Sequence, residues 1–194
     1  MFRDALLFLV QVPFGLLIMA LLLRFHLQWV RAHYRNPLTP YVNTLTDFMV
    51  LRARRYVPGL WGMDLSTLLL AWVLALLLTA LTLLIRGYGF GGDATVTVFA
   101  MTGLAVALCL KYAVYLLIFF VIAQAVLSWV NPDSPAYPIV SVIVRPFTAP
   151  FRKWIPPLGN IDLSPLIVLV ACQLVLMLPV YWLEAVLYQL MRQG

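Results

Sequence analysis

Arg54-Arg55-Tyr56-Val57-Pro58-Gly59-Leu60, followed by Asp64-Leu65-Ser66, returns 98 positions later as Arg152-Lys153-Trp154-Ile155-Pro156-Pro157-Leu158 and Asp162-Leu163-Ser164. No gap is needed between the two. Pro37 falls on Pro135 and Pro40 on Pro138 in the same register, while upstream the offset becomes 100, so that Trp29-Val30 meets Trp129-Val130 and Leu16-Leu17-Ile18 meets Leu116-Leu117-Ile118. Apolar matches between two Leu-rich segments carry little weight, because composition alone produces them. A repeated basic pair, proline and Asp-Leu-Ser are specific, and they make the chain two copies of one half.

Outward from these motifs the chain is apolar. Residues of the hydrophobic class make up 64% of it and charged residues 10%, against roughly half and a quarter in an ordinary soluble domain. Water cannot solvate most of such a surface, and 194 residues leave no room for a separate soluble domain beside the spans. A span needs around 20 apolar residues, and stretches near 5–30, 66–85, 94 or 104–130 and 166–191 qualify. The predicted fold is an all-α membrane protein of four transmembrane helices. Its halves are 1–92 and 93–194, each a span, a long amphipathic loop (31–65 or 131–165) and a second span. The first run reads as a retained helix, because it continues to Val30 without a small-residue cleavage site.

The third stretch is too long for one upright span, since Ala94 to Val130 would reach about 55 Å as a helix. No Gly, Pro or Asn lies between Leu104 and Leu127 to turn the chain back, so one span with an N-terminal, interfacial extension is expected. Charge agrees with this count. Arg31, Arg35, Arg52, Arg54, Arg55, Arg145, Arg152 and Lys153 all fall in the two long loops, with Arg3, Arg86 and Arg192 on the other side. The positive-inside rule then predicts cytoplasmic loops and external termini, and the shared orientation makes the repeats parallel, about an axis along the membrane normal.

A net charge of +6 raises the question of nucleic acid. These basic residues flank apolar runs, however, where they orient the protein and meet anionic lipid headgroups, so no nucleic acid is expected. Cys109 and Cys172 sit inside apolar stretches without a partner motif and read as small core residues. Phosphate loops, metal-ligand spacings and activated serines are not found, so neither an enzyme nor a cofactor is predicted. His26 and His33 read as solvated or interfacial.

Asp64 and Asp162 stand just before apolar runs, where an Asp caps a helix N-terminus. Ser66 and Ser164 come next in the same motif, and Pro165 suits a first helical turn. The basic motif itself is Arg54, Arg55 and Pro58 in one copy, Arg152, Lys153 and Pro156 in the other. Val140, Ile143, Val144, Phe147, Phe151 and Trp154 recur at helical spacing, as do Tyr41, Leu45, Phe48 and Met49. Pro146 and Pro150 are expected to break the second series into short pieces. Such segments lie in the membrane interface, with Trp29, Trp129 and Trp154 as anchors. Lys111 is the ionisable residue deepest in a span. It aligns with Gln11, and it either snorkels or pairs internally, or else lines a polar path; Glu184 is its partner or simply reaches water. Arg24 reads as an ordinary snorkeller.

These motifs, with Ser128-Trp129 and Ile161-Asp162-Leu163-Ser164-Pro165, resemble the YggT family signature over nearly the whole chain. The first copy is degenerate, with Thr67 in place of Pro165, and Phe48 and Arg52 in place of Pro146 and Pro150. The resemblance implies the bacterial inner membrane and the two-repeat arrangement of proteobacterial members. Single-repeat relatives, the YlmG proteins, are linked to division-gene clusters, plastid nucleoid organisation and cytochrome complex assembly, and the two-repeat members to osmotic tolerance and cation homeostasis. Two functional expectations arise. One is a non-enzymatic scaffold whose basic loops meet lipid, membrane-protein partners or further copies of itself; the other is a small oligomeric channel or transport subunit for ions or osmolytes.

Overall fold

A computed structural model describes residues 1–30, 36–57, 64–88, 93–154, 162 and 164–193. Among them the chain is helical: α1 Phe2–Trp29, α2 Leu38–Ala53, α3 Leu65–Arg86, α4 Ala94–Val130, α5 Ala136–Trp154, α6 Ser164–Val175 and α7 Tyr181–Gln193, with a π-helical turn, Leu176–Val180, joining the last two. Four helices are long and apolar enough to cross a membrane: α1, α3, α4 and the run Ser164–Met191. The expected all-α fold of two repeats is the one formed. The chain is therefore a multi-pass membrane protein.

α1 packs chiefly on α3, and α4 holds the rest together by touching α1, α3, α5, α6 and α7. One core cluster joins Ile18, Leu21 and Leu22 of α1 to Leu74, Ala75 and Leu78 of α3, Val50 of α2 and Ala105 of α4. Another joins Val114, Phe120 and Val121 of α4 to Val140, Ile143 and Val144 of α5 and Val168 and Cys172 of α6. Close approach depends on two glycines. A Cβ on Gly15 would lie 2.7 Å from Tyr112 Oη, and one on Gly103 would lie 2.8 Å from Leu187 Cδ1. Such small residues let apolar helices approach in lipid, where hydrophobic burial does not drive association.

α4 is one unbroken helix of 37 residues. Its first turns continue the same helix, as the expected extension, and Ala100 and Leu104 are buried against Leu187 of α7. The overhang is thus matched by α7, whose last turns run beside it. Gly87 closes α3 with φ +77°, where the left-handed cap lets Gly87 N–H donate to Leu84 O and Tyr88 N–H to Leu83 O.

α5 corrects the sequence reading. It runs continuously through Pro146 and Pro150 for 19 residues. Pro146 and Pro150 stand four residues apart, so the donors they lack lie along one strip with Val142. Val142 and Pro150 are exposed while Val140, Val144 and Thr148 are buried on the other side. The unpaired carbonyls therefore lie on the side open to the environment. At Pro179 the helix instead widens into the π turn, which absorbs the missing donor and the ring together.

Candidate functional site

The repeated motif closes on itself at the end of the bundle that carries α2 and α5. Asp64 caps α3: its Oδ1 accepts from Ser66 N–H at 3.2 Å and also from the Ser66 hydroxyl. Its Oδ2 accepts from Arg54 Nε at 2.6 Å. Asp162 repeats this, with Oδ1 accepting from Ser164 N–H at 2.9 Å and Oδ2 from Arg152 Nε at 2.7 Å. Each clasp ties the end of an interfacial helix to the start of the next span. A cap is legible from the sequence, but its arginine is not.

The helices so tied are also buried in one register. Val42, Thr46 and Val50 of α2 and Val140, Val144 and Thr148 of α5 are all buried, and each pair lies 98 residues apart. In the first half two further ties pin α2 and α3 to α1. Gln28 Oε1 accepts from Asp64 N–H at 3.1 Å, and Arg24 Nη1 donates to Thr46 Oγ1 and Asp47 Oδ1, both at 2.7 Å. Arg24 is 5% exposed, so it is a buried, paired cation and not a snorkeller. Such a charge is tolerable only because it is paired and hydrogen-bonded. Its counterpart Gln124 is buried without a partner for Oε1 among the described residues, so this tie is not duplicated.

His26, in the same part of α1, is also held. Its Nε2–H donates to Ile143 O at 2.9 Å, which fixes the proton on that nitrogen because a carbonyl can only accept. Its ring stacks on Phe147, with centroids 5.7 Å apart, and Trp29 closes the cluster. This joins α1 of one half to α5 of the other. Trp29 and Trp129 stand at the ends of α1 and α4 with exposed rings. Arg55 and Lys153 are exposed, and Pro165 is buried in the first turn of α6. The Trp154 side chain, Pro58, Pro156 and His33 lie outside the described residues.

At the opposite end the intramembrane polar residues gather. Lys111 Nζ lies 3.2 Å from Glu184 Oε1 and 3.3 Å from Oε2, and 4.9 Å from the centre of the Tyr181 ring. The pair borders a cavity of about 350 Å³ that Gln11, Arg86, Thr79 and Thr82 also line. Gln11 and Lys111 are repeat equivalents, and Arg86 and Glu184 are too, 98 residues apart. Matched positions from both halves thus converge on one cavity, as a repeat axis along the membrane normal would have it. Sequence alone shows Arg86 only as a charge flanking a span, though the register that aligns the clasps also aligns it with Glu184. The π turn contributes too: one extra residue rotates the rest of the helix by about 100°, and Glu184 lies beyond it.

Family comparison agrees with this two-fold construction. The CCB3/YggT family model matches residues 3–85 and again 103–183. An uncharacterized Pseudomonas aeruginosa protein is 37% identical over 187 residues, covering 94% of this chain and 92% of its own. One from Vibrio alginolyticus, encoded in the proC 3' region, is 34% identical over 86% of this chain and 88% of its own. The Escherichia coli K12 protein YggT is 30% identical over 84% and 83%. No solved structure matches. The chain belongs to the CCB3/YggT family.

Proposed function

We propose that this protein is a non-enzymatic organising factor of the bacterial inner membrane, presenting two fixed interfacial helices at the cytoplasmic face. One observation carries the reading: the Arg–Asp–Ser clasp and the buried triplet recur in the same register in both halves. With one face buried, α2 turns Tyr41, Leu45, Phe48 and Leu51 outward, an apolar strip fitted to another membrane protein. Cytoplasmic placement rests on the basic residues of these loops, which suit anionic lipid.

Photocrosslinking residues installed at Leu45 and Phe48 test this in native membranes. The reading expects discrete protein adducts that weaken when Asp64→Ala loosens the clasp. Adducts to lipid alone, unaffected by that substitution, would count against it. A second reading, a transport subunit, is favoured by the polar cavity between the halves.

A further inference from the structure

The cavity at the end opposite the clasps has a charge balance of its own. Lys111 and Glu184 neutralise each other at 3.2 Å, whereas Arg86 lines the same cavity and, among the described residues, pairs with no carboxylate. The site therefore carries one uncompensated positive charge, at its rim, where Arg86 is exposed. Around it stand uncharged donors and acceptors: Gln11 from α1, Thr79 and Thr82 from α3, and Tyr112 from α4. A volume of about 350 Å³ lies within the range of roughly 300–1,000 Å³ typical of small-molecule sites.

We propose that this cavity binds a small organic monocarboxylate, with Arg86 gripping the carboxylate. The planar guanidinium matches a carboxylate in bidentate geometry, and one negative charge brings the cavity to neutrality. A metal cation or amine is repelled by the same balance. The hydroxyl and amide groups of Thr79, Thr82, Tyr112 and Gln11 meet the polar remainder of the ligand. The Lys111–Glu184 pair is partly buried, with side chains 23% and 20% exposed. Its place is to hold a polar wall without adding net charge. The site is also asymmetric, since the first copy has Gln11 where the second has Lys111, so a ligand has one preferred orientation. This inference shares its cavity with the transport reading, requires binding and not passage, and is independent of the organising role.

The test uses the full chain in nanodiscs and ligand-observed NMR titration with L-lactate, ethylammonium and inorganic phosphate. Saturable binding of lactate and none of ethylammonium are expected. Arg86→Gln, at an exposed position, should weaken lactate binding about tenfold or more, the loss of one charge-assisted contact. Arg55→Gln, at an exposed arginine of the opposite end of the bundle, removes the same charge outside the cavity and should keep the affinity within about threefold, roughly half the free-energy equivalent of a tenfold change. No saturable lactate signal, equal affinity in Arg86→Gln, or ethylammonium binding as well as lactate would overturn the proposal. Phosphate binding as tightly as lactate would make this a general anion site and overturn the carboxylate assignment. Failure of binding with normal crosslinking of α2 would leave the organising role standing.

Discussion

An Asp that only caps a helix needs a single donor, yet Asp64 and Asp162 each use both oxygens. The second oxygen is what makes them clasps. Asp64 is the more enclosed, its side chain 8% exposed against 27% for Asp162. Asp64→Ala is therefore expected to cost about 2–3 kcal/mol, as a lost cap together with buried donors left unsatisfied. Asp162→Ala should cost about 1 kcal/mol, the cap alone with a solvent-screened ion pair. Reversible unfolding in mixed micelles compares the two, and equal losses would contradict the difference in burial. Asp162 also responds to pH. Burial pushes its carboxyl up, but hydrogen bonds from Ser164 and the charge of Arg152 outweigh that and hold it below the ordinary value of 3.8. Its contribution is thus fully present above 3.8 and is lost as pH falls through the lower folded value. Asp162→Asn should flatten the acid limb of the stability curve. The caps are legible because Asp precedes an apolar run. Their arginines, ten residues away across a loop, obey no helical or strand period, so only the fold reveals them.

Elements show where local rules gave way to packing. Two prolines predict a broken α5, and the buried strip Val140, Val144 and Thr148 keeps it whole, because the donors they remove lie on the other side. Arg24 and His26 read as boundary residues by position alone. Their partners, Thr46, Asp47 and Ile143, sit on interfacial helices whose docking no spacing in α1 can specify. The spans themselves are legible to within a few residues, as apolar length is a direct consequence of bilayer thickness. Contact between the halves includes Gly15 against Tyr112. Gly15→Leu should destabilise by about 1–3 kcal/mol through overpacking, while Leu16→Ala, at an exposed neighbour, should stay within about 0.5 kcal/mol. Thermal unfolding of both in one detergent decides it, and a neutral Gly15→Leu would show that the helices do not approach there.

At the scale of the molecule, duplication sets two different ends. One is closed by clasps, the His26–Phe147–Trp29 cluster and packed cores, and the other opens into the cavity where Gln11, Arg86, Lys111 and Glu184 meet. Repeat offsets of 98 and 100 in the sequence contain both ends, since aligned clasps and aligned cavity residues share them. What the offsets cannot supply is convergence, which depends on α4 lying against both halves. On the proposed reading the two halves lie parallel, with both clasped loops on the cytoplasmic side. Single cysteines at Thr44, Asp133 and Thr95, all exposed positions, placed in a chain with Cys109 and Cys172 replaced by Ala, test this with a membrane-impermeant maleimide. Thr44→Cys and Asp133→Cys should label only after permeabilisation and Thr95→Cys in intact cells. Labelling of Thr44→Cys and Asp133→Cys from opposite sides of the membrane would contradict it.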